Sequence, residues 1–186
     1  MPAPEPAALS LGGNLGDVPA RLAWAVAALA DGGLREAVCS GAYRTEPVGC
    51  APGAPDFWNA AVAGLWAGGP DALLRLCKSL EAKAGRIPAP PRPDGLYVSR
   101  PLDIDLLLMG KRREARPGLA LPHPEAAHRL FVLVPLAEIA PGWRFPGGDG
   151  RTVAEALAEA SREAGAGIEA AIRATRRPLA IACRRA

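Results

Sequence analysis

Residues 100–108 read R-P-L-D-I-D-L-L-L, with Leu102, Ile104 and Leu106 alternating with Asp103 and Asp105. Period-two alternation rich in aliphatic residues predicts a β-strand over 102–109. Residues two apart on a strand share a face and lie roughly 6.6–6.8 Å apart along the chain. Asp103 and Asp105 therefore point the same way, and Ile104 points into the core. Two carboxylates this close repel each other unless a cation sits between them or one takes a proton. A solvated acidic face is the usual meaning of a bare D-x-D. Here the strand ends in an unbroken apolar run, Leu106 to Met109, so much of it is expected to be buried, and buried acids need partners. Arg100 alone cannot neutralise both. A metal site is the favoured reading, and carboxylates with open positions suit Mg²⁺, which takes water and substrate phosphates as its remaining ligands.

The chain around this strand has 186 residues, enough for one domain with a real core. Hydrophobic residues make up 49% and charged residues 22%, an ordinary globular balance. No apolar run approaches the ~20 residues of a membrane span. The first six residues show no basic n-region and no cleavage pattern, so no secretory signal is expected. Cys39, Cys50, Cys77 and Cys183 are scattered, without a C-x-x-C. That argues against a zinc ribbon or redox dithiol and suits reduced thiols in a cytoplasm. The net charge is +3, but residues 173–186 hold five arginines (Arg173, Arg176, Arg177, Arg184, Arg185) and no acid, so the remainder carries −2. The positive charge is thus a property of the end of the chain, and no nucleic-acid footprint spreads over the fold. The expected organisation is one domain over 1–172 and a basic tail over 173–186, solvated or frayed.

Upstream, 7–12 reads as a short strand that runs into Gly12-Gly13-Asn14-Leu15-Gly16-Asp17. A glycine-rich turn between strand and helix can cradle a phosphate. It can equally be a tight turn with Asp17 at a helix N-terminus, and P-loop and G-x-G-x-x-G spacings are absent. Residues 18–30 predict a helix with Leu22, Val26 and Leu29 on one face, stopped by Asp31-Gly32-Gly33. A strand is expected over 34–43, a long connection over 44–55, a strand over 56–65 and a helix over 72–84. That helix presents Leu73, Leu76, Cys77 and Leu80, which makes Cys77 a core residue. A proline-rich linker, 86–99, carries Arg86 and Arg92 to the acidic strand. After a basic turn, 119–121 is expected to pair back at the sheet edge. A loop from Pro122-His123-Pro124 leads into a helix ending near residue 137, and 152–164 is an amphipathic helix. The first four strands and two helices run β-α-β-β-α-β. That order predicts an α+β, ferredoxin-like core with an antiparallel sheet, both helices on one face, and additional C-terminal helices covering what remains.

Arg86, Arg92, Arg100, His123 and Arg129 flank the carboxylate pair in sequence. Singly, each reads as a surface or capping residue; together with two carboxylates they suit a polyphosphate, with Mg²⁺ bridging its oxygens. In the 44–59 segment Phe57 offers a flat apolar face and Asn59 both a donor and an acceptor. That pairing suits a planar heterocycle with a mixed hydrogen-bonding edge, although Phe57 alone would read as core.

Six stretches occur in one order: L-S-L-G-G-N-L-G-D (9–17), Y-R-T-E-P-V-G (43–49), D-F-W-N-A-A-V (56–62), L-E-A-K-A-G-R (80–86), R-P-L-D-I-D-L-L-L (100–108) and P-H-P-E-A-A-H-R-L-F-V-L-V-P-L-A-E-I-A-P (122–141). Over about residues 7–146 this resembles the 6-hydroxymethyl-7,8-dihydropterin pyrophosphokinase family of folate biosynthesis. The resemblance implies a ferredoxin-like fold and transfer of pyrophosphate from ATP to the pterin hydroxymethyl group, releasing AMP. It implies that Asp103 and Asp105 hold two Mg²⁺ ions and that Asn59 binds the pterin edge. It places Phe57 and Phe131 about the pterin ring and Thr45, Pro47, Val48 and Gly49 in its wall. It places Glu81, Arg86, Arg100, His123 and Arg129 around ATP, with Arg86, Arg92 and Arg100 assisting transfer. Two positions depart from the family pattern: Gly13 replaces a usual serine, and Tyr97 stands near a usual tryptophan.

The implied reaction is in-line attack of the pterin hydroxyl on the β-phosphorus, with catalysis mainly by positioning and charge neutralisation. Residues 86–99 are expected to form a lid over the nucleotide. Two rivals share features of the pattern. An RNA-binding module uses the same element order but stacks bases on aromatics of its central strands, and 7–12 and 59–65 carry none. A D-x-D nucleotidyltransferase would release pyrophosphate instead of AMP. ATP and the pterin are thus the expected partners, without nucleic acid or membrane, for a monomer or weak dimer.

Overall fold

The computed structural model describes residues 3–87, 94–147, 149–165 and 167–179. Its elements run β1 (Glu5–Gly13), α1 (Val18–Asp31), β2 (Arg35–Cys39), β3 (Tyr43–Thr45), β4 (Phe57–Trp66), α2 (Gly69–Lys83) and β5 (Asp103–Met109). They continue as β6 (Glu114–Arg116), β7 (Leu119–Leu121), α3 (Leu130–Ile139), α4 (Val153–Ala164) and α5 (Ile168–Ala174). The main sheet has the order β2-β4-β1-β5, with β3 also on β4, and every pairing is antiparallel. Counting β2 and β3 as one broken strand, this is the ferredoxin-like βαββαβ core, with the first and third strands in the middle.

Alternation along β1 sends Ala7, Leu9 and Leu11 to one face and Ala8 to the other. On the first face lie α1 and α2. Asp17 starts α1 by accepting the Ala20 N–H (3.2 Å), with Pro19 preset for the first turn. Leu22, Val26 and Leu29 of α1 and Leu73, Cys77 and Leu80 of α2 are buried against the sheet at helical spacing. Burial, then the charge of Glu81, pushes the Cys77 thiol up to about 12, as suits a core cysteine. The second face is covered by α3, apolar nearly all round because it packs between the sheet and α4. Thr152 and Glu155 form a capping box that starts α4, whose Val153, Ala156, Leu157 and Ala160 point inward. Among the described residues no helix is long and apolar enough to cross a membrane.

The structure departs from the sequence reading in three places. The strand expected over 34–43 breaks in two. Glu36 sits at φ 51°, the register shifts between Arg35 and Val38, and the Ser40 hydroxyl takes over from the ladder by accepting the Ala61 N–H (2.9 Å). Residues 119–121 pair with β6 as a separate hairpin and not with the main sheet. The loop expected from Pro122 runs on to α3 at Leu130, with residues 123–128 closing a series of turns and His123 Nδ1 accepting the Glu125 N–H (3.2 Å). Finally, the basic segment is not free over its described part: Ala42 and Arg177 exchange both backbone hydrogen bonds, each 2.8 Å, beside β3.

Candidate active site

The site grows from the end of β5. Ile104 and Leu106 are buried beneath α1 and α2, so Asp103 and Asp105 face the other way, opposite Gly12 and Ser10 of β1. Asp103 is held by two arginines. Arg100 Nη1 lies 2.7 Å from Oδ2, and Arg86 Nη1 bonds Oδ1 while pairing with Glu81 at 2.7 Å. Glu81 itself is buried; it accepts the Ile104 N–H (2.8 Å) and pairs with Lys78 (3.1 Å). It therefore ties α2 to β5 and steadies Arg86 against Asp103, and its oxygens are already engaged.

Asp105 is different. Among the described residues it makes no hydrogen bond and no ion pair. Burial, then the charge of Asp103, raises its pKa above the usual aspartate value, against the pull of His123 and Lys78. A half-buried carboxylate with no direct partner among the described residues, beside a second one, is a hard-oxygen donor pair that fits Mg²⁺. Among the described residues no group of three or more His, Cys, Asp and Glu could hold a metal by itself. The pair can thus supply only part of a coordination shell.

Two clefts meet at this pair. The first is walled by Phe57, at the start of β4, and Phe131, in the first turn of α3, with Asn59 and Thr45 between them and Asp103 at one end. Asn59 is buried, and its Nδ2 donates to Thr45 Oγ1 (2.9 Å). Its Oδ1 approaches Gly12 so closely that a Cβ there would come within 3.0 Å. Val48 lines the rim, 65% exposed. Pro47 and Gly49 do not line the cleft; the Gly49 carbonyl accepts the Tyr97 N–H (2.8 Å) and so holds Tyr97 at its mouth. The guanidinium of Arg129 lies 5.6 Å from the Phe131 ring centre and 6.0 Å from that of Tyr97, with Glu125 as its ion-pair partner (3.2 Å). Arg129 thus joins the aromatic cleft. The second cleft lies beyond Asp105 and is lined by Lys78, Arg116, His123, Leu74 and Leu119. Of the expected phosphate group, His123 is here, Arg100 lines the first cleft beside Asp103, and Arg86 pairs with Asp103 but lines neither cleft. Arg92 lies outside the described residues.

Sequence reasoning missed three contributors. Asn14 is buried; its Oδ1 accepts the Arg100 N–H (2.8 Å) and its Nδ2 donates to Ser99 Oγ (2.9 Å) and the Pro55 carbonyl (3.2 Å). It joins the glycine turn to both segments that frame the first cleft. The neighbouring Gly13 is required, because a Cβ would sit 2.5 Å from the Pro101 carbonyl oxygen. Lys78 and Arg116 supply the cationic side of the second cleft. Lys78 had a sequence signal, three residues before Glu81 on one helix; Arg116, on the separate hairpin, had none.

Residues 8–141 match the family described as 7,8-dihydro-6-hydroxymethylpterin-pyrophosphokinase. A 2-amino-4-hydroxy-6-hydroxymethyldihydropteridine pyrophosphokinase of Methylorubrum extorquens is 42% identical over 152 residues, covering 81% of this chain and 90% of the relative. One of the same name from Synechocystis is 38% identical over 152 residues, covering 81% and 74%. The crystal structure of wild-type Plasmodium falciparum HPPK-DHPS with pteroate superposes with a TM-score of 0.66 at 12% identity, over 96% of this chain and 48% of that one. This chain therefore spans about half the length of that protein, and the likeness concerns the fold. Fold and sequence together define a pyrophosphokinase, a transferase of folate biosynthesis. The chain belongs to the 7,8-dihydro-6-hydroxymethylpterin-pyrophosphokinase family. The activity is transfer of pyrophosphate from ATP to the hydroxymethyl group of 6-hydroxymethyl-7,8-dihydropterin, with release of AMP.

Proposed function

We propose that the aromatic cleft binds the pterin, that the cationic cleft binds ATP, and that Asp103 and Asp105 hold two Mg²⁺ ions where the clefts meet. The observation that carries this reading is the placement of the acidic pair. Asp103 lines the first cleft and Asp105 the second, so a pterin hydroxyl and a polyphosphate would approach from opposite sides of one charged point. The pterin ring would lie between Phe57 and Phe131, with its donor and acceptor edge on Asn59 and Thr45. The triphosphate would run toward Arg86 and Arg100, with His123, Lys78 and Arg116 spread along it. Bound Mg²⁺ would neutralise phosphate charge and lower the pKa of a coordinated hydroxyl, so no dedicated side-chain base is needed. Arg86 and Arg100 would then turn from Asp103 toward the transferred group, stabilising charge as the β-phosphorus is attacked in line.

In this reading the chain works in the cytoplasm as a monomer or weak dimer, with one catalytic domain over 1–172 and the basic segment 173–186 attached to it. The test is chromatography of products from ATP, Mg²⁺ and the hydroxymethyl-dihydropterin, with and without EDTA. AMP and pterin diphosphate, formed only with Mg²⁺, are expected. Equal turnover in EDTA would remove the metal role from Asp103 and Asp105.

A further inference from the structure

The pterin side of the site contains a strand that its own sheet supports weakly. β3 has only three residues and pairs with the main sheet on one side alone, Tyr43 opposite Asn59, Arg44 opposite Trp58 and Thr45 opposite Phe57. It thereby presents Thr45 to Asn59 and forms one wall of the cleft. An edge strand this short, with its outer N–H groups left to water, frays readily.

In the structure the outer edge is not left to water. Residues 175–177 lie along it, outside the part of the chain that matches the family. Thr175 Oγ1 accepts the Arg44 N–H (2.7 Å), and the Ala42 and Arg177 backbones bond each other at 2.8 Å in both directions. Arg177 stacks 5.0 Å from the ring centre of Trp58, between Phe57 and Asn59 in sequence. Arg176 pairs with Glu138 of α3, and Glu138 accepts the Tyr43 hydroxyl (2.5 Å) and the Gly41 N–H (3.2 Å). The approach is close enough to need glycine: a Cβ on Gly41 would lie 2.9 Å from the Arg177 carbonyl oxygen. The strap's contacts thus fall on a residue within two positions of Thr45 or Asn59, on the Gly41–Ala42 turn that feeds them, or on Glu138, which itself accepts from Tyr43 and Gly41.

We propose that Thr175, Arg176 and Arg177 form a strap that sets pterin affinity by holding β3 in register with β4, so that Thr45 and Asn59 meet the pterin edge preorganised. These are positioning residues, since none of them lines the aromatic cleft. The proposal rests on the assignment of that cleft to the pterin. Preorganisation raises affinity by removing the cost of ordering the wall on binding. The nucleotide cleft lies on β5, α2 and the β6–β7 hairpin, none of which the strap touches, so the effect should be confined to one substrate.

The test uses the full chain with Thr175→Val, which is nearly isosteric, with Arg176→Ala, and with Arg176→Lys as the conservative variant. Pterin affinity is measured by calorimetry with Mg²⁺ and a saturating non-hydrolysable ATP analogue, and analogue affinity is measured separately. Asn59→Ala serves as the control for the cleft. Thr175→Val and Arg176→Ala together should weaken pterin binding about tenfold, the scale of losing a neutral and a charged hydrogen bond. Analogue affinity should stay within about twofold, kcat at saturating pterin should be nearly kept, and Arg176→Lys should recover part of the loss. Amide exchange at residues 42–45 should quicken in the ligand-free variants. The strap is overturned if pterin affinity is unchanged while Asn59→Ala loses it, or if both ligands weaken together in step with Tm. If Asn59→Ala binds pterin normally, the cleft assignment and the strap fall together.

Discussion

Asp105 carries a charge that burial and Asp103 both oppose, and the consequences for stability and for catalysis have opposite signs. Its folded-state pKa is raised, so the native state holds the proton more tightly than the unfolded chain does. Its contribution is therefore favourable below the unfolded aspartate value and is lost as pH rises through the raised one. Asp105→Asn should leave Tm unchanged in strong acid and raise it once pH has climbed through the raised value. The same variant should lose pyrophosphoryl transfer by on the order of 10³-fold, because a carboxylate proposed to hold Mg²⁺ against the phosphate charge is gone. Thermal scans across pH, with turnover measured alongside, check both halves; turnover near wild type would overturn the proposed metal role of Asp105. Asn59 has a different logic. It is buried and already paired to Thr45, so it is rigid before any ligand arrives. Asn59→Ala should weaken pterin binding far more than ATP binding, since a site built on hydrogen bonds discriminates through them. Equal weakening of both ligands by calorimetry would contradict its place on the pterin edge.

Between elements, the joint that matters most is Glu81, where α2 meets β5. Its carboxylate satisfies the buried Ile104 N–H and anchors Arg86, which in turn sits on Asp103. Glu81→Ala leaves that N–H without a partner and should cost about 1–3 kcal/mol of stability. Glu81→Gln keeps an acceptor for Ile104 but gives up the charge that holds Arg86 and Lys78. It should recover most of the stability while still lowering kcat, because the proposed approach of Arg86 to the phosphates is no longer fixed. Urea unfolding and steady-state kinetics separate the two effects. If the glutamine variant has full activity, Glu81 serves the fold alone. The same element-level logic explains why β5 carries the site. Its inner residues fix it between β1 and the two helices, and its outer residues are then free to carry acids.

For the whole molecule, the sheet divides the labour. One face, under α1 and α2, is a closed apolar core; the other, under α3 and α4, is closed only part of the way and leaves the aromatic cleft at the end where β3, β4 and β5 bring their polar residues. The 86–99 segment spans the clefts in sequence. Its described ends are anchored, Arg86 on Asp103 and Tyr97 on Gly49, whereas 88–93 lies outside the described residues. A ligand shifts such a segment only if it binds the closed state better. Mg²⁺, a non-hydrolysable ATP analogue and the pterin together should slow tryptic cleavage after Arg86. Unchanged cleavage at saturating ligand would make the segment a spacer.

The sequence by itself determined the acidic strand, the helices α1, α2 and α4, and the βαββαβ order, because each is written in local periodicity: 2 for the strands, 3.6 for the helices, with glycine and proline at the ends. It also determined the family, since six motifs stand in one order. Only the tertiary structure decided how the expected residues divide between the clefts, with Arg129 among the aromatics and His123 beside Asp105. Only the structure showed Asn14 joining segments more than 80 residues away, and Ser40 breaking a strand through a bond to Ala61 on β4. The strap beside β3 is the extreme case, with Thr175 and Arg44 separated by 131 residues. Periodicity tells which face of an element is buried. It carries no signal for what covers an edge, because backbone N–H and carbonyl groups are the same at every residue but proline and their partner is chosen by the path of the chain.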